Sequence, residues 1–175
     1  MKALSLFVLL SFVFIKVNAC SHYQEQLENI FRAFDVINKE LSKEKKLSTD
    51  TISNCISPEI VSLMYMIFNA EIKDIQAKEG RKIDSFPSYQ FDIKNDFENF
   101  ELPALKAKYL SASKYITFFS KPVGNFLIAE VFARDDNNSS NYKVVSMFGE
   151  STYFLFYFDS SNNVKYVRKM IMNNN

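Results

Sequence analysis

Apolar residues recur at three- and four-residue spacing from Tyr23 through Leu27, Ile30, Phe31, Phe34 and Ile37 to Leu41. This single stripe predicts an amphipathic helix over 22–42. Its other face is polar: Glu28 and Arg32 form a favourable i,i+4 pair, and Lys39, Glu40, Lys43, Glu44, Lys45 and Lys46 solvate the exit. A second helix is predicted to open at Ser57-Pro58-Glu59. Ser57 suits the N-cap, Pro58 the first helical position where its missing N–H costs nothing, and Glu59 the positive end of the dipole. Ile60, Val61, Met64, Ile67, Phe68, Ile72 and Ile75 continue its buried face, and Gly80 is the expected stop.

Beyond Gly80 the pattern loses its period. Pro87 and Pro103 interrupt residues 84–111, which read as a loop with a short helix. Then strands take over. Tyr115 to Phe119, Phe126 to Ala133, Tyr142 to Phe148, Thr152 to Phe158 and Val164 to Ile171 are rich in β-branched and aromatic residues and are separated by turn signals. Short links between successive strands predict an antiparallel meander. Tyr153 to Phe158 is apolar at every position, so this strand is expected at the centre of the sheet, with helices on one face. A pocket, a dimer partner or the 84–111 segment is the candidate cover for its other face. The fold class is therefore α+β: two N-terminal amphipathic helices packed on a curved antiparallel meander of four to five strands.

The first residues have a different character. Lys2 precedes an apolar run from Leu4 to Ile15 that ends at Lys16 and Asn18. That run is too short for a bilayer-crossing helix, which needs about 20 apolar residues, and it has the length of a secretory signal. Cleavage after Ala19 is expected, so 1–19 is read as a signal peptide and 20–175 as one domain outside the cytoplasm, in a bacterial periplasm or medium. Cys20 then opens the mature chain. Val17-Asn18-Ala19-Cys20 resembles a lipobox, in which the cysteine carries a lipid anchor, although Asn18 and Lys16 depart from that pattern. The alternative is a disulfide between Cys20 and Cys55, the only other cysteine. A helix over 22–42 would carry the chain about 30 Å from Cys20. The residues to Cys55 span at most about 45 Å extended, so closure requires a nearly straight return. Both fates of Cys20 stay open, with two unpaired thiols as a third.

Composition narrows the partners. With 47% hydrophobic and 23% charged residues the chain can bury a core. Removing Lys2 and Lys16 leaves 19 basic against 20 acidic residues, a balance that offers no field for nucleic acid or an anionic membrane. Membrane attachment is expected only through a lipid at Cys20. Eighteen Phe and nine Tyr without a Trp read as an aromatic core rather than a stacking platform.

Ile56-Ser57-Pro58-Glu59-Ile60, the stretch Asp84-Ser85-Phe86-Pro87-Ser88-Tyr89-Gln90, and the runs Tyr153 to Phe158 and Val164 to Val167 together resemble the nuclear transport factor 2-like superfamily. The likeness is to its small exported members of unknown function. The resemblance implies a cone-shaped sheet wrapped around helices; the missing Trp departs from the strand that often closes such domains. Its fold hosts enzymes, transport factors and binding modules, so it selects no activity.

Catalytic signatures are sparse. The one histidine, His22, rules against histidine triads and multi-histidine metal sites, and neither a CxxC nor an HExxH motif occurs. Three glycines make no phosphate-cradling loop. No metal or cofactor is expected. What remains is carboxylate and tyrosine chemistry: some cone-fold isomerases pair a buried Asp with a Tyr, which would cast Asp92 or Asp96 with Tyr89, Tyr153 or Tyr157. Glu130 and Arg134 share a strand face; they could line a cavity, but an exposed face is the commoner arrangement. The leading expectation is a non-enzymatic envelope module that binds a protein or small apolar ligand through the concave face of its sheet. The alternative is a small hydrolase or isomerase with an Asp/Tyr pocket.

Overall fold

A computed structural model describes residues 24–43, 53–61, 63, 65–80, 100–101, 113–134, 142–146 and 149–174. Helix α1 occupies 24–43, in line with the apolar stripe. Strand β1 (Asn54–Ile60) follows, then a 3-10 turn (Tyr65–Phe68) that runs into α2 (Asn69–Glu79). A two-residue strand β2 (Phe100–Glu101), β3 (Tyr115–Phe119), β4 (Phe126–Ala133), the single-turn helix α3 (Tyr142–Val145), β5 (Gly149–Phe158) and β6 (Val164–Asn174) complete the chain. The six strands form one sheet in the order β2, β1, β3, β4, β5, β6. From β3 to β6 it is the antiparallel meander that the turn signals predict. β1 pairs with β3 in parallel, which makes the sheet mixed.

Two sequence expectations are corrected here. Ser57-Pro58-Glu59 does not open a helix; it lies in β1. The capping chemistry is nevertheless present, since Ser57 Oγ accepts a hydrogen bond from the Glu59 amide at 3.1 Å. The register with β3 shifts between Ile56 and Ile60, and this irregularity accommodates Pro58, which has no N–H for the ladder. Extension wins because it buries both faces: Cys55, Ile56 and Ser57 are each 0% exposed. The helix itself starts later, with Ile72 and Ile75 buried, and ends where expected at Gly80, whose φ of 62° is left-handed and whose N–H bonds Gln76 O. The second correction concerns the expected strand from Tyr142. Residues Tyr142–Val145 form α3, closed by Ser146 N–H on Tyr142 O at 2.8 Å, because β5 takes the place beside β4. The Asn173-Asn174 stretch belongs to β6 and pairs with Glu150 and Gly149. Of the expected loop over 84–111, only β2 lies among residues described above 84 and below 113, and it pairs with β1.

The sheet is the middle of three layers. On one face, Ile30, Phe34, Ile37 and Leu41 of α1 pack against Ile56, Phe119, Phe154, Phe156 and Phe158. On the other, Phe68, Ile72 and Ile75 pack with Ile116, Ile128, Leu155 and their neighbours. Each large side chain so buried contributes roughly 1.5–3 kcal/mol by its removal from water. Polar ties fix the layers in register. Arg32 of α1 donates to Asn162 O at the tip of the β5–β6 hairpin. Asn54 Nδ2 donates to Asn38 Oδ1 at 3.0 Å, and Thr117 Oγ1 donates to Asn54 Oδ1 at 3.1 Å. On the α2 side, Lys165 pairs with Glu79 at 2.7 Å and Arg168 approaches Asp74 at 3.6 Å. The Tyr65 hydroxyl donates to Lys121 O at 2.8 Å and lies 3.0 Å from Ser120 Oγ, which pins the 3-10 turn to the β3–β4 connection.

Candidate functional site

The two-sided apolar strand needs no ligand to explain it. Tyr153 is 8% exposed, Tyr157 4% and every residue from Phe154 to Phe156 0%, all covered by the chain itself. Phe154, Phe156 and Phe158 meet the α1 layer, while Tyr153, Leu155 and Tyr157 meet the α2 layer. Chemical interest falls instead on one residue of the neighbouring strand.

Glu130 stands in the middle of β4, opposite Phe118 of β3 and Tyr153 of β5. Its alternation parity with Ile128 and Phe132 places it on the α2 face, and it is 0% exposed. This corrects the expectation of an exposed strand face for Glu130; Arg134, expected beside it, lies one residue beyond the end of β4. An acidic side chain inside a core needs hydrogen-bond donors or a cation. Among the described residues the donors are hydroxyls. Tyr142 Oη donates to Glu130 Oε2 at 2.7 Å, and the Tyr153 and Ser151 hydroxyls also act on the carboxyl. Glu130 Oε1 and Ser151 Oγ are buried without a hydrogen-bond partner of good geometry.

α3 brings the Tyr142 hydroxyl to this point. Its ring sits edge-on to Phe118 at 5.1 Å and to Phe132 at 6.2 Å between centroids, and those two rings are themselves edge-on at 6.0 Å. The Tyr142 amide donates to Glu59 Oε2 of β1 at 3.2 Å. One residue of α3 therefore engages carboxylates on two strands. The electrostatics follow from burial. Desolvation pushes the Glu130 carboxyl above the usual carboxylate range, and the hydroxyls of Tyr153, Tyr142 and Ser151 offset part of that rise. Burial and the adjacent Glu130 charge push both tyrosine hydroxyls well above the usual phenol range, so they remain donors.

Of the residues singled out in the sequence, Tyr153 belongs to this cluster. Tyr157 shares its face but lies four residues along the strand, with its ring 4.9 Å from Phe126 and 5.9 Å from Tyr166. Four strand residues separate the two tyrosines by roughly 13 Å, so they do not act on one group. Tyr89, Asp92 and Asp96 lie outside the described residues, as do His22, Cys20 and the expected signal peptide. Cys55 is a free, fully buried thiol in β1 that donates to Tyr115 O at 3.4 Å. Among the described residues no group of three His, Cys, Asp or Glu side chains could hold a metal ion, and no helix is long and apolar enough to cross a membrane.

Comparison with known proteins returned no match to a family model, a curated protein or a solved structure.

Proposed function

We propose that the protein is an exported, non-enzymatic binding module whose ligand is met at the Glu130 cluster, between β4, β5 and α3, rather than on an open sheet face. One observation carries this reading. Glu130 is wholly buried, yet its Oε1 has no hydrogen-bond partner of good geometry among the described residues, and the same is true of Ser151 Oγ on the next strand. An unsatisfied buried polar group costs about 1–3 kcal/mol, and a bound molecule that supplies the missing partner returns that cost. The surroundings, Phe118, Phe132 and the half-buried Met170 and Met172, suit a small apolar body carrying one donor. Export is supported by Lys2, the apolar run from Leu4 to Ile15 and the small residue at Ala19. The exported members of the nuclear transport factor 2-like superfamily remain the proposed relatives.

The test is NMR titration of the mature protein with phenol, 2-methylpropan-1-ol and N-methylacetamide, each an apolar body with a single donor. Saturable shifts confined to Glu130, Ser151, Tyr142 and Tyr153, and lost in Glu130→Leu, are expected. No saturable response to any of the three would leave the cluster as an internal, water-bridged tie and end this reading. A second reading uses the same atoms: a carboxyl held above its usual range beside two tyrosine donors is the chemistry of proton transfer next to a carbonyl. Incorporation of solvent deuterium at the α-carbon of cyclopentanone, abolished in Glu130→Gln, would favour that enzymatic alternative.

A further inference from the structure

Burying a carboxyl is cheap when it is protonated and expensive when it is ionised, because the ion gives up its hydration for whatever the protein supplies. Around Glu130 the supply is neutral. β5 offers the Tyr153 and Ser151 hydroxyls and α3 the Tyr142 hydroxyl, with no cation among the influences on the carboxyl from the described residues. β3 presents Phe118, and β6 presents Met170 and Met172 to the same layer. Three charged groups lie nearby. Glu59 of β1 accepts from the Tyr142 amide and so adds a second anion beneath α3. Arg134 follows β4 on the parity of Glu130, and Lys143 of α3 is exposed.

Among the described residues, α3 is the element whose side chain reaches Glu130 from outside the sheet. It is a single turn, its Tyr142 is only partly buried, and its attachments to the sheet include the Tyr142 hydroxyl on Glu130 and the Tyr142 amide on Glu59. We propose that α3 is a protonation-dependent cover, docked on the sheet while Glu130 is neutral and released as Glu130 ionises.

The sign follows from linkage. The docked state holds the carboxyl above its usual range, whereas the open, hydrated state returns it to that range. Docking is therefore strongest below the open-state value and is lost as pH rises through the docked-state value. Ionisation strengthens the interactions with the Tyr153, Tyr142 and Ser151 hydroxyls, but the upward direction of the shift means that desolvation outweighs them. The device stands whether or not the cluster binds a ligand, so the two proposals are tested separately.

The experiment is amide hydrogen exchange on the mature chain between pH 5 and 8, corrected for intrinsic exchange. The Ser146 amide, bonded to Tyr142 O, reports α3, and the Phe156 and Leu127 amides of the β4–β5 pair report the sheet. Release coupled to one proton predicts that Ser146 protection falls about tenfold per pH unit between the open-state and docked-state values of Glu130, and levels off above the latter, while the sheet amides hold theirs. Glu130→Gln should flatten the profile at high protection. Tyr142→Phe keeps the ring but removes the hydroxyl, and should lower protection throughout. A flat wild-type profile, or parallel loss at Ser146 and the sheet, overturns the proposal. Should Glu130→Gln fail to fold, carbon-13 titration of the Glu130 carboxyl in the wild type decides: its midpoint must fall where the loss at Ser146 levels off, and a midpoint in the ordinary carboxylate range refutes the cover.

Discussion

The two-sided burial of β5 can be measured one face at a time. Phe154 and Leu155 are consecutive, both 0% exposed, and point into opposite layers, Phe154 toward α1 and Leu155 toward α2. Truncating Phe154 to Ala removes a ring stacked near Phe156, with centroids 6.1 Å apart and planes at 17°. The surrounding layer consists of a helix and a central strand, neither of which can collapse freely into the space. A loss of about 3–5 kcal/mol is expected for Phe154→Ala and about 2–5 kcal/mol for Leu155→Ala. Against a total stability of roughly 5–15 kcal/mol, either change should move the urea midpoint by a large fraction of its value. Although the two side chains enter different layers, they are consecutive on one strand, so the double variant should depart from the sum of the singles by about 0.5–3 kcal/mol through the shared backbone. The assay is urea unfolding followed by tyrosine fluorescence and far-ultraviolet circular dichroism, with m compared between variants. A Phe154→Ala cost below about 1 kcal/mol, with Leu155→Ala costly, would mean that the α1 face of the sheet is not packed core. That result would return the face to the role of a ligand or partner surface and refute the three-layer argument.

Other expectations are simpler. Gly80→Ala places a side chain at φ +62° in otherwise open space and should cost about 1–2 kcal/mol, with Gly80→Asn recovering much of it in the same unfolding assay. Tyr65→Phe removes the hydroxyl that bridges Lys121 O and Ser120 Oγ; the loss should be about 1–3 kcal/mol, since the acceptors stay behind. Cys55, free and fully buried, should resist iodoacetamide in the native protein and take it up in denaturant without reductant; alkylation that requires reductant would instead reveal the Cys20–Cys55 bridge.

Much of the sheet was legible because its signals are local. Tyr115 to Phe119 and Phe126 to Ala133 are bounded by turn residues on the page of the sequence, and the strands found there have the same limits. Likewise, Asp159 to Asn163 reads as a turn, and Asp159 Oδ1 does accept the amides of Ser161 and Asn163. β1 was not legible, because Ser57-Pro58-Glu59 is locally a helix start and only a partner some sixty residues away makes it a strand. α3 was hidden for a similar reason: Tyr142-Lys143-Val144-Val145 has strand composition, but β5 already fills the position beside β4. Glu130 was readable and was misplaced. Phe126 to Ala133 is apolar at both parities, as Tyr153 to Phe158 is, so a lone carboxyl within it must face a covered layer. The general preference for exposed acids obscured that.

The pairing of β1 with β3 also sets an order of assembly. Cys55 and Ile116 are register partners, yet the chain between them must be made before they can meet. The meander from β3 to β6 closes through short connections, whereas joining β1 requires ordering a loop of about sixty residues, an entropic cost that local hairpins avoid. A nascent chain thus holds β1, apolar on both faces, without its neighbour until the second half has emerged. Once the meander has formed and until β1 docks, β3 presents an open edge, the kind of surface on which strands from other molecules add. Folding yield, more than final stability, should therefore be sensitive to changes that slow the arrival of β1 at β3.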